Sequence, residues 1–330
     1  MEQGHRGESF EVQWDLGATT VYGTVVKPAG PGPFPAVIMA AGSGPTDRNW
    51  NSPLLPGSNG SARLLAEALA REGFASLRYD KRASGRHANE NMRILAGTMT
   101  MQAHCEEFAD GARWLAEQNE IRSDAIFGLG NSEGTLHVLN YQLDHPAVPL
   151  AGLILVGPPG RAVGVVARSQ LAVQATAVAN GDALLTLYDE AVARFLAGQP
   201  ATPDPALPPG VRTLIASLEA PANLPFAREL WTADAASRLA QTDVPVLVII
   251  GKKDIQVDWQ TDGQLLARAA RGKPNVTLVF PENTNHLLKL ERQARSALEA
   301  SAVMQRYNAD DARLDPEAEE TIVCWLRQHI

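Results

Sequence analysis

Ser132 sits at the centre of Gly130-Asn131-Ser132-Glu133-Gly134, a G-x-S-x-G pattern able to present a nucleophile. The chemistry explains the spacing. A serine that must stand clear of a sheet edge needs a sharp strand-to-helix turn, a nucleophile elbow. That turn strains the serine backbone and brings its neighbours too close for side chains, and glycine two before and two after relieves the crowding. The apolar run 125–129 supplies the strand, and the pattern from Thr135 supplies the helix. The helix N-terminus then points its amides at developing negative charge.

A serine hydroxyl needs a base. Seven histidines are available, and His286 has the right place. It follows the strand candidate 276–280 through Pro281-Glu282-Asn283-Thr284-Asn285, a loop at a carboxyl end from which a side chain can reach Ser132. His5, His87 and His329 read as surface residues, and His104 and His137 as structural histidines within helices. His145 precedes Pro146 in a helix exit. The base in turn needs a carboxylate to hold its tautomer. Asp254 follows the run 246–251, with Asp258 as its rival; Asp254 is favoured because it lies closer to the strand end.

A tetrahedral intermediate requires donors for its oxyanion. One is the amide of Glu133, directly after the nucleophile. The other comes from Ala41-Gly42-Ser43-Gly44-Pro45, with Ser43 the first choice and Gly44 the second, since Pro45 has no amide to give. The Glu133 side chain reads as solvated or salt-bridged, not as a catalyst. Asp47, Arg48, Asp80 and Arg82 read as two mixed-charge pairs. They form either an ion-pair network bracing the oxyanion loop or a site for a charged substrate group.

These residues must be positioned by regular elements. β-formers at 10–14 and 20–26, separated by Gly17, predict an antiparallel pair at a sheet edge. Apolar runs then recur at 36–40, 74–79, 125–129, 150–156, 244–250 and 276–280, as suits strands buried on both faces. Helical patterns lie at 62–71, 101–118, 135–143, 261–270 and 316–329. The alternation predicts an α/β fold with an open, doubly wound, mostly parallel sheet. Residues 164–240 interrupt it with an Ala- and Leu-rich stretch lacking a strong strand, broken by prolines at 200–209. This reads as a helical insertion: a surface elaboration, or a cap (lid) over the carboxyl ends of the strands, where open α/β sheets bind ligands. The core is then 1–163 with 241–330. Trp114 and Trp325 read as core residues on helix faces.

Composition narrows the function classes. The 330 residues are 45 % hydrophobic and 20 % charged, an ordinary globular balance. A net charge of −8 gives no general attraction to nucleic acid or anionic lipid. Cys105 and Cys324 are far apart and form no C-x-x-C, against a disulfide scaffold or structural zinc. A P-loop and a complete G-x-G-x-x-G are both missing. The polar N-terminus shows no signal-peptide core, and no apolar run reaches bilayer length; the expectation is a cytoplasmic protein.

Taken together, these residues resemble the α/β-hydrolase superfamily, in which Ser, Asp and His follow one another in the order Ser132, Asp254, His286. The resemblance covers about residues 20–330, with the insertion where that family carries its cap. Gly42-Ser43-Gly44-Pro45-Thr46-Asp47-Arg48-Asn49, Arg78-Tyr79-Asp80-Lys81-Arg82, Gly251-Lys252-Lys253-Asp254-Ile255-Gln256-Val257 and Asn285-His286 resemble bacterial serine esterases and serine-aminopeptidase-like acyl hydrolases. The resemblance implies Ser132 as nucleophile, Asp254 as acid, His286 as base, and Ser43 with Glu133 as oxyanion donors. Two positions depart from it. Ala41 stands where many esterases place a histidine, and Ala83-Ser84 follow Arg82 where relatives place a glycine. The expected activity is hydrolysis of small carboxylic esters through an acyl-enzyme, with no cofactor, no metal, and no nucleic-acid or membrane partner. A homo-oligomer stays open. A peptidase, a thioesterase or acyltransferase, and a non-catalytic ligand-binding protein of the same fold are the alternatives.

Overall fold

The computed structural model describes residues 7–144 and 146–330; His5 and His145 lie outside them. The chain begins with β1 (Glu8–Leu16), β2 (Thr19–Lys27) and β3 (Phe34–Ala40). Strands and helices then alternate: α1 (Ser61–Arg71), β4 (Ala75–Tyr79), α2 (Ala88–Leu95), α3 (Met101–Ala116), β5 (Ile121–Asn131), α4 (Glu133–Leu143) and β6 (Gly152–Val156). Five helices follow without a strand: α5 (Val163–Ala175), α6 (Gly181–Leu196), α7 (Pro209–Leu218), α8 (Phe226–Thr232) and α9 (Ala235–Leu239). The chain closes with β7 (Val246–Ile249), α10 (Thr261–Ala269), β8 (Val276–Val279), α11 (Ala300–Arg306) and α12 (Pro316–Arg327).

Among the described residues the strands form one eight-stranded sheet, ordered β1-β2-β4-β3-β5-β6-β7-β8. β1 pairs with β2, and β2 with β4, antiparallel. Every later pairing is parallel. β3 shows why such strands read as continuous apolar runs. Ala36, Ile38 and Ala40 enter the core layer that also holds Phe108 of α3 and Leu136 of α4. Val37 and Met39 enter the opposite layer, with Leu65 of α1 and Ile322 of α12. With both faces covered, no position in the strand suits a polar residue.

α5 to α8 carry a core of their own around Tyr188, Phe195, Ile215 and Trp231. α8 faces two ways: Ala227 and Trp231 join that cluster, while Phe226 and Leu230 pack into the main core. α9 lies wholly on the main core through Ala235 and Leu239. The chain is held to the sheet at the end of the insertion as well as at its start.

Candidate active site

β5 ends at Asn131 and α4 begins at Glu133, so a single residue makes the turn. Ser132 makes it with φ 53° and ψ −119°, a left-handed backbone that costs a non-glycine residue about 1–3 kcal/mol. The neighbours are as crowded as the spacing requires. A Cβ on Gly130 would run into the backbone of Gly134, and one on Gly134 would lie 2.5 Å from the Ala40 carbonyl. The Ser132 side chain makes no capping bond to α4, unlike Thr100, whose side chain accepts the Ala103 N–H. Ser132 is half-buried and lines a cavity of about 210 Å³.

His286 lines the same cavity. Its loop is built by Asn285, whose Oδ1 accepts the backbone N–H of Leu287 (3.0 Å) and of Lys289 (2.9 Å). The Asn131 amide donates to the His286 carbonyl at 3.1 Å, tying the end of β5 to that loop. Asp254 is fully buried. Its Oδ1 accepts the N–H groups of Gln256 (2.8 Å) and Val257 (2.9 Å), and its Oδ2 lies 2.7 Å from His286 Nδ1. A carboxylate oxygen only accepts, so Nδ1 donates in this bond. The rival Asp258 is occupied elsewhere. Its Oδ1 accepts the Thr261 N–H at 2.7 Å, at the start of α10, and its Oδ2 pairs with Arg295 at 2.8 Å.

The loop carrying Ser43 reaches the same cavity, and an ideal Cβ on Gly42 would lie 3.3 Å from the Ser132 Cβ. Gly44 takes φ 77°. The Glu133 side chain is salt-bridged, and its solvated alternative is set aside: it is 2 % exposed, with Lys81 Nζ 2.7 Å and His137 Nε2 3.1 Å from its Oε1. Burial works to raise the Glu133 carboxyl. The Lys81 charge and the hydrogen bond from His137 outweigh it, holding the group well below the usual carboxylate range. His137 is pushed down to about 4, by burial first and then by the charges of His104 and Lys81, against the pull of Glu133.

The loop charges pair differently from the sequence reading. Among the described residues Asp47 forms no ion pair; its Oδ1 accepts the N–H of Asn49 (2.8 Å) and Asn51 (2.9 Å) in a local turn. Arg48 reaches across to Asp80, which accepts its backbone N–H (2.7 Å), Nε (3.1 Å) and Nη2 (2.8 Å). Arg82 turns the other way, to the buried Glu107 of α3, donating its backbone N–H at 3.0 Å and Nε at 2.8 Å. His104 Nδ1 stands 2.8 Å from the second Glu107 oxygen. Burial raises the Glu107 carboxyl, but His104 and Arg82 together hold it down at about 2. Lys81, Glu107 and Asn131 are the site neighbours the sequence reading missed. Lys81 lay inside a quoted motif, but its partners are distant in sequence.

Among the described residues no group of three or more His, Cys, Asp or Glu side chains could hold a metal ion, and no helix is long and apolar enough to cross a membrane. The sheet order and the strand-turn-helix at Ser132 define the fold class. Comparison with known proteins agrees. Residues 58–189 match the model of the serine aminopeptidase S33 family. The chain is 26 % identical over 284 residues to Esterase EstD of Thermotoga maritima, covering 85 % of this chain and 61 % of that protein's length. The Pyrococcus furiosus esterase Pf2001 superposes with a TM-score of 0.59 at 16 % identity, covering 98 % of this chain and 92 % of the other. The α/β hydrolase GrgF of a Penicillium species gives 0.58 at 15 % identity, covering 98 % and 99 %. The chain has the α/β-hydrolase fold.

Proposed function

We propose that the protein is a serine esterase that cleaves small carboxylic esters through an acyl-enzyme. One observation carries the reading: the strained Ser132 and the Asp254-bound His286 face one cavity. His286 Nε2 takes the Ser132 proton as the hydroxyl oxygen attacks the ester carbonyl, and then returns it to the leaving alcohol. Water attacks the acyl-enzyme with the same base, releasing the acid. Asp254 holds the ring with its Nδ1–H inward and stabilises the imidazolium. The Ser43 and Glu133 amides receive the oxyanion.

The named relatives that are esterases support the ester over the peptide, and so does the cavity. Leu54, Leu55, Leu287 and Met304 line it, and among the described residues no Asp or Glu lines it to receive a peptide's terminal ammonium. The same walls favour a short uncharged acyl group. The insertion 164–240 serves as the cap in this reading. Gln170 of α5 donates to the Gln256 carbonyl at 2.9 Å, which sets the insertion beside the loop that carries Asp254. The test is hydrolysis of a short p-nitrophenyl ester. Ser132→Ala is expected to lose it by a factor on the order of 10⁴ or more while keeping the fold; full retained activity would remove Ser132 from the mechanism.

A further inference from the structure

Lys81 is 4 % exposed, yet its ammonium lies between the two segments that would bind an oxyanion. Its Nζ donates to the Gly42 carbonyl at 2.7 Å and to Glu133 Oε1 at 2.7 Å. The Gly42 carbonyl is half of the Gly42–Ser43 peptide group, whose other half is the Ser43 N–H. In a planar trans peptide the C=O and N–H point in opposite directions. A donor fixed on the carbonyl therefore fixes the direction of the amide. Rotation of that peptide plane would break the bond to Lys81 inside a site shielded from water, where an unmade bond is costly. The second bond ties the same ammonium to the residue whose amide opens α4. Lys81 also follows Asp80, which grips Arg48 of the same loop through three hydrogen bonds, so the 80–81 segment holds the 42–48 loop at both ends.

We propose that Lys81 is a positioning residue of the hydrolytic site: by holding the Gly42 carbonyl and the Glu133 carboxylate together, it aims the Ser43 and Glu133 amides at one oxyanion. The role rests on the reading of Ser132 as nucleophile. Lys81 touches no reacting atom, so substrate binds as well without it, and only the tetrahedral state loses stabilisation. A bond to the carbonyl also polarises the peptide and strengthens the Ser43 N–H as a donor.

The test uses the full chain with p-nitrophenyl acetate as substrate and a trifluoromethyl ketone as the probe of the tetrahedral state. Lys81→Met leaves Glu133 buried without its cation and can unfold the protein. Lys81→Met with Glu133→Gln removes both charges and keeps the shape. In the double variant kcat is expected to fall on the order of 10²–10³-fold, the range for loss of an oxyanion donor. KM is expected to stay within about threefold, and the inhibition constant of the ketone to rise by the factor by which kcat/KM falls. A folded double variant with kcat within about threefold of the parent would overturn the role. So would a loss of kcat with unchanged ketone affinity. A parent protein that neither hydrolyses the ester nor binds the ketone would overturn the reading of Ser132 along with it.

Discussion

The rim of the parallel sheet and the helical insertion are built by different forces. At the rim, polar side chains carry the structure: Asp254, Glu107, Lys81 and Asn285 are all buried, and each is met by backbone groups or by a charged partner. In the insertion, apolar contacts around Phe195 and Ile215 carry it. Directional bonds fix a geometry to tenths of an ångström, whereas apolar contact tolerates many geometries of similar energy. The rim has the directional character that chemistry needs, and the insertion tolerates change more readily.

If that contrast holds, variants in the two regions fail in different ways. The largest expected loss of stability is at Glu107. Glu107→Gln leaves Arg82 buried beside a neutral amide, and urea unfolding is expected to show about 3–5 kcal/mol lost. A loss under about 1 kcal/mol would mean that the rim network is as forgiving as the insertion. Ile215→Ala is expected to cost about 2–4 kcal/mol by cavity formation, with kcat for a short ester kept within about threefold. A hundredfold fall in kcat from that variant would erase the distinction between the regions.

A smaller, pH-dependent effect sharpens the comparison. His137 is held neutral, near 4 in the folded state against an ordinary 6.5. The unfolded chain therefore binds the extra proton between those values, and stability falls as pH drops from about 6.5 to about 4. Glu107, near 2 when folded, adds its own loss below about 4.5. His137→Gln keeps a donor for Glu133 and is expected to flatten the urea midpoint between pH 7 and 5. An unchanged slope would show that His137 does not contribute.

How the rim and the insertion appear in the sequence also differs. The sheet was legible because strands buried on both faces leave continuous apolar runs, and β7 and β8 differ from the expected 244–250 and 276–280 only in their ends. α2 and α11 were not anticipated. Only Asn91 of α2 and Val303 of α11 are buried, so neither helix leaves an apolar period to read. The placement of Ser132, Asp254 and His286 beyond strand ends was legible because local pattern shows where a strand stops. The charge pairing was not: Arg82 joins Glu107 over 25 residues and Lys81 joins Glu133 over 52, and neither separation leaves a local signal. Arg48 and Asp80 were expected within mixed-charge pairs, but which charge meets which is decided by how the loops cross.

The central claim is that Ser132 is a nucleophile activated by His286. A fluorophosphonate probe forms a stable adduct only on an activated serine, and mass spectrometry of the digested protein locates it. The account expects a single adduct on the peptide containing Ser132, lost in His286→Ala with the fold intact. An unlabelled protein, or an adduct on a different serine, would contradict it.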